Sequence, residues 1–106
     1  TLVEAKRYHH ALFFCHLALE KLLKGLVYAK TQTHALPIHD LKKLTQQAGI
    51  TLTLKQEEQM IEITSWNIEA RYDSYKRKFY HKATPEFTLF WMNIAKEIFV
   101  WIKNQY

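Results

Sequence analysis

Glycine and proline are scarce in this chain, with two of each among 106 residues. That excludes a fold built from many short strands and tight turns, and leaves long regular elements joined by few connections. Cysteine is scarcer still. Cys15 stands alone, so no disulfide forms within the chain, and its apolar helical surroundings suit a small buried hydrophobe in a reducing compartment. No apolar run reaches the roughly 18 residues that cross a bilayer, and no signal-peptide pattern is present, so a cytoplasmic protein without membrane contact is expected. Strand-type alternation of useful length is also missing. The chain opens on Thr1 and not on Met, so its first helix is expected to be incomplete. What is plentiful is hydrophobic residues at 48%, with 14% aromatic, which excludes a disordered chain. The length suits one domain, residues 1–106, with one core.

Spacing places the elements. Thr1 to Lys6 reads as the last turns of a helix whose start is missing. Tyr8 to Lys30 follows without proline, with one apolar stripe at Ala11, Phe14, Cys15, Ala18, Leu22, Leu26 and Ala29 and a second at Leu12, Leu19, Leu23 and Val27. Gly25 costs about 1 kcal/mol against Ala inside a helix, so close packing there is the expected compensation. Thr31 to Ile38 reads as a loop, with Pro37 opposing a continued helix, His39-Asp40-Leu41 opens a short helix, and Gly49 stops it. Thr53 with Gln56 forms a capping-box pattern for a helix that runs to about Ala70 through Met60, Ile61, Thr64, Trp66 and Ile68. Thr84, Pro85 and Glu86 start the last helix, whose apolar residues again form two stripes, one through Phe87, Phe90, Trp91, Ile94, Ile98, Trp101 and Ile102 and one through Leu89, Met92, Ala95 and Phe99. The expected architecture is an all-α, antiparallel up-and-down bundle of four or five helices. The two wide apolar helices imply a homodimer.

Positive charge is concentrated in one place. The net charge is +5 overall, and Arg71 to Lys82 holds five Lys/Arg against one Asp, with Tyr72, Tyr75, Phe79 and Tyr80 interleaved. Rings and cations in one segment suit a nucleotide or RNA, whose bases stack while its phosphates meet the charges. The plainer reading is an interhelical loop whose aromatics pack back onto the core.

The segment from Tyr8 to Gly25, with its small residues and Glu20-Lys21 followed by Lys24, resembles the second helix of HEPN domains, the nucleotide-binding helical domains of prokaryotes. Pro37-Ile-His-Asp-Leu41 is similar to that family's proline loop and helix start, and Asn67-Ile-Glu-Ala-Arg-Tyr-Asp73 to the segment that delivers its functional Arg. The resemblance covers nearly the whole chain. It implies a dimeric bundle, often encoded beside a small nucleotidyltransferase in a toxin–antitoxin-like pair; no cofactor is expected.

Ribonuclease members of that family follow the Arg with a polar residue and then a His four to six positions on, so that Arg meets the phosphate and His moves the proton. Here Arg71 and Asp73 match, but Lys76, Arg77 and Lys78 stand where the His would fall, and His81 lies further on. Binding without cleavage is the expectation. Arg71, Asp73, Tyr75, Lys76, Arg77, Lys78 and Tyr80, with Asn67 and Lys24, are the candidate RNA or nucleotide contacts. The alternatives are a metal-independent ribonuclease using Arg71 and His81, and a non-catalytic interaction module whose basic segment docks an acidic protein. Lys24 is equally readable as a surface ion partner of Glu20. His9, His10, His16 and Glu20 do not space as three converging ligands, so no metal is expected. Ser74 and Cys15 lack the context of a nucleophile.

Overall fold

One helix of 30 residues, α1 (Leu2–Thr31), is the axis on which the other four pack. The computed structural model describes residues 1–106, apart from the side chain of Leu2. At 1.5 Å per residue such a helix is about 45 Å long, which matches the molecule's longest dimension of 45 Å. The opening residues are therefore part of α1, and no break separates Lys6 from Tyr8. After α1 come α2 (Leu41–Gln47), α3 (Leu54–Arg71), α4 (Asp73–Lys82) and α5 (Pro85–Lys103). No strand occurs among the described residues.

The expected start and stop signals operate. Asp40 accepts from the Lys43 N–H to cap α2, and Gly49 takes the left-handed φ of 79° that ends it. Thr53 and Gln56 complete a reciprocal capping box on α3, and the Thr84 hydroxyl accepts from Phe87 with Pro85 in the first turn of α5. Tyr106 at the end of the chain donates to the Leu22 carbonyl, and Met92 and Phe99 face Cys15 and Ala18 across one groove. So α1 and α5 run the same way. Trp66 of α3 meets Phe87 and Trp91, whereas Met60 lies by Ile98 and Trp101, so α3 runs against α5. Gly25 is the close approach its presence implied. A Cβ there would stand 2.7 Å from the Tyr106 hydroxyl.

The structure departs from the sequence reading in four places. The basic segment is not an interhelical loop. It is α4, separated from α3 by a single extended residue, Tyr72 (φ −107°, ψ 125°). With no glycine or proline in the segment, one residue outside the helical region suffices to turn the chain. The buried face of α1 is the second stripe joined by Leu26 of the first and by three polar residues: His9, Leu12, His16, Leu19, Glu20, Leu23, Leu26 and Val27 are all buried, while Phe14 and Ala18 of the first stripe are exposed. On α3 the core takes Met60, Ile63, Trp66 and Asn67, and leaves Ile61 and Ile68 outside. On α5 it takes Thr88, Ala95, Ile98 and Ile102, drawing on neither expected stripe alone.

Candidate functional site

His16, Glu20 and Lys24 are one turn apart and leave the same face of α1. That face meets the chain where it returns past Pro37. There the buried His16 donates its Nε2–H to the His39 carbonyl (2.9 Å), pinning the returning backbone. The His39 ring lies against Glu20, Nδ1 to Oε1 at 2.8 Å, and Lys24 takes the other carboxylate oxygen at 3.1 Å. Burial pushes the Glu20 carboxyl up, but the hydrogen bonds from His39 and Lys24 outweigh it and hold it below the ordinary carboxylate range. Glu20 is thus ionised and accepts only, so Nδ1 of His39 carries the proton. Burial pushes His16 down, and the nearby His39 and Arg71 charges add to this against the His39 carbonyl and Glu20. His16 is neutral, and its 3.8 Å approach to Glu20 is a neutral contact and not an ion pair.

The far wall comes from α3. Thr64 accepts the Leu41 N–H through Oγ1 at 3.1 Å, tying the start of α2 to α3. One turn on is Asn67, buried, whose Oδ1 accepts from Nε of Arg71 at 2.9 Å. Four residues apart on α3, the two side chains leave one face. Arg71, the last residue of α3, is exposed, and its Nη groups make no hydrogen bond among the described residues. His39, Asp40, Thr64, Asn67, Arg71 and Tyr72 line an open depression of about 460 Å³. The Asp40 carboxylate on its rim is engaged by the Lys43 N–H.

The α4 candidates do not form one basic face. Lys82 is held by Glu62 at 2.7 Å and Glu69 at 3.4 Å, which raises its pKa against the cost of burial. Lys76 pairs with Asp73 at 3.3 Å, and the Asp73 side chain is otherwise in solvent. Tyr75 and Lys78 line a second depression with Ser65 and Glu69; Arg77, Tyr80 and His81 line a third with Lys6. Phe79 is fully buried and Tyr80 packs on His9, while Tyr72 and Tyr75 are exposed. Arg71 and His81 therefore stand on different depressions of the chain. His39, which spacing did not single out, lines the same depression as Arg71. It reads as a helix-start residue in the sequence, and only the packing of α2 against α1 and α3 sets it beside Arg71. Among the described residues no three His, Cys, Asp or Glu side chains are placed to hold a metal ion, and no helix is long and apolar enough to cross a membrane.

No curated protein and no solved structure matches the chain. A family model described as HEPN domain matches residues 1–105. With its helical bundle, its Pro37–Leu41 turn and its Asn67–Arg71 pair in place, the chain belongs to the HEPN domain family.

Proposed function

We propose that this chain binds RNA or nucleotide phosphates, with Arg71 as the anchor. The observation that carries the reading is the Arg71 guanidinium, held through Nε by buried Asn67 with its Nη edge free at an open depression. A guanidinium so oriented loses little freedom on meeting a phosphate, which it can grip with two parallel hydrogen bonds. Arg77 and Lys78 form no ion pair among the described residues; they stand on other depressions than Arg71, so they would meet phosphates other than the one Arg71 holds. Exposed Tyr75 and Tyr72 offer stacking rings.

The test is the salt dependence of binding to a labelled single-stranded RNA. Each lost phosphate contact should flatten the slope of log affinity on log salt by about 0.7. Arg71→Ala removes one such share and Arg77→Ala with Lys78→Ala about two, whereas Lys76→Ala, already paired with Asp73, changes little. Tyr75→Ala costs about 1–3 kcal/mol of binding if the ring stacks on a base. No salt-dependent binding at low ionic strength would defeat the reading and favour a protein-docking module.

The assembly we propose is a homodimer built on α1 and α5. A groove of about 140 Å³ between them is lined by Cys15, Ala18, Met92, Ala95 and Phe99. Phe14, 63% exposed, precedes Ala18 by one turn, and Leu89, 64% exposed, precedes Met92 by just under one. Apolar surface left out in this way is the material of subunit interfaces. Light scattering on the intact chain should give twice the chain mass, and Phe14→Glu with Leu89→Glu should halve it. A small nucleotidyltransferase as partner, in a toxin–antitoxin-like pair, rests on the family likeness.

A further inference from the structure

We infer that the contact between His9 and α4 is a proton-operated latch. The neutral ring holds α4 against α1; the protonated ring lets that face of α4 open while the rest of the bundle stays folded. The first support is how the ring is housed. His9 is 4% exposed, and neither Nδ1 nor Nε2 has a hydrogen-bond partner among the described residues. Its neighbours are other rings: Phe79 at 5.0 Å and Tyr80 at 5.1 Å from α4, and His10 at 5.2 Å from its own helix. A neutral imidazole packs there as an aromatic body. An imidazolium would bring two N–H donors and a charge to a place that offers no acceptor. The charged or chargeable groups that bear on the ring are His10 from α1 and Lys76 from α4, both of positive sign, and no carboxylate from any helix offsets them. Lys76 has Asp73 for a partner, but that carboxylate lies in solvent. Buried His16 is housed differently, with the His39 carbonyl at 2.9 Å and Glu20 at 3.8 Å, so a proton there meets acceptors.

The second support is α4 itself. It is ten residues long, has no side-chain cap at its start, and buries one side chain, Phe79. The other short elements are better held, since α2, α3 and α5 each have a side-chain cap and bury three residues or more. At both ends α4 is tied to α3, by Tyr72 in the chain and by Lys82 to Glu62 and Glu69. The side free to open is therefore the one on α1, where Phe79 and Tyr80 meet His9. Opening gives the imidazolium water and exposes a single buried ring, a far smaller rearrangement than unfolding the bundle.

The direction follows from the two states. With α4 open, His9 returns to its ordinary 6.5, whereas burial, His10 and Lys76 hold it lower with α4 closed. Between those values opening takes up a proton, so the closed form is weakened by up to about tenfold per pH unit as pH falls below 6.5. A ten-residue helix freed from its packing does not persist in water, so exchange of its backbone amides reports the opening. Acid would thus loosen the helix that carries Arg77 and Lys78. That consequence rests on the phosphate-binding reading; the latch does not.

The experiment is hydrogen exchange on the full chain without RNA, from about pH 7 to about pH 5, corrected for the intrinsic pH dependence of exchange. Amides of α4 should be less protected than the core amides of α3 and α5 at every pH, which marks a local opening. Their protection should fall by up to about tenfold per pH unit below 6.5. In His9→Leu the α4 protection should become flat with pH, while the core amides keep the part of their pH dependence that His16 supplies. His81→Asn, a change on α4 away from the contact, should leave the α4 profile unchanged. Should His9→Leu fail to fold, NMR titration of the intact chain decides: the His9 ring and the Phe79 ring should shift together, with a midpoint below 6.5. Equal protection in α4 and the core, an α4 profile that survives His9→Leu or is lost with His81→Asn, or a His9 ring that titrates without moving Phe79 overturns the latch. None of these outcomes bears on RNA binding, so failure of the latch and failure of the phosphate-binding reading are told apart.

Discussion

Acidifying the protein from about pH 7 to about pH 5 should destabilise it by up to about 1.4 kcal/mol per pH unit for each of two buried imidazoles. His9 is 4% exposed and His16 fully buried. Burial lowers the pKa of both from the ordinary 6.5, helped by His10 and Lys76 around His9 and by His39 and Arg71 around His16. The sign follows from that direction. Between the depressed folded value and 6.5 the unfolded chain holds a proton that the native chain does not, so unfolding takes up protons and stability falls as pH falls. The decline starts near 6.5 and levels once the folded values are passed. Glu20, also depressed from its ordinary 4.5, adds a later step of the same sign. Neither ring nitrogen of His9 has a hydrogen-bond partner among the described residues; the ring sits edge-on to Phe79 and Tyr80 at about 5 Å. His9→Leu should therefore remove about one proton from the slope and cost little at neutral pH. Urea titrations across the range supply the measurement. A wild-type stability flat between these pH values would show that the histidines ionise freely in the fold.

Trp66→Ala should cost about 3–5 kcal/mol, enough to unfold a large share of a domain whose whole stability is of order 5–15 kcal/mol. Trp66 is fully buried, edge-on to Trp91 at 5.7 Å and Phe87 at 6.4 Å. Truncation leaves a cavity where α3 meets α5 and strands the Glu62 carboxylate, which accepts the indole N–H at 2.8 Å and also receives Lys82. Lys82 is what fastens α4 to α3, so the damage should extend to the Arg71 end of α3. Trp66→Phe keeps most of the packing and loses only the hydrogen bond, at about 1–2 kcal/mol. Equal losses for the two variants in chemical denaturation would mean that packing is not what Trp66 contributes.

Element boundaries were legible in the sequence because they rest on local chemistry. Thr53, Thr84 and Asp40 cap backbone N–H groups three residues away, and Gly49 supplies a conformation that needs no distant partner. The Asn67–Arg71 pair was legible for the same reason, since one helical turn fixes it. Which face of α1 is buried was not. Its core stripe runs through His9, His16 and Glu20, and a hydropathy pattern counts such residues as solvent-facing because unpaired polar groups avoid burial. Pairing decides otherwise for Glu20, but its partner His39 is 19 residues away and arrives from a different element.

The basic segment divides along the same line. Its composition gave charge and rings, and its lack of glycine and proline was compatible with a helix. Which cations remain free was settled in space: Lys82 is drawn to Glu62 and Glu69 of α3 and Lys76 to Asp73, while Arg77 and Lys78 keep their charge to solvent. The sequence by itself determined an all-helical chain, its capped ends and its membership of a family, because helix periodicity and caps act over one or two turns. Only the tertiary structure decided what stands beside Arg71. A spacing rule searches a few residues downstream and finds Lys76, Arg77 and Lys78. The fold brings His39 from 32 positions upstream, because α2 packs against α1 and α3 together.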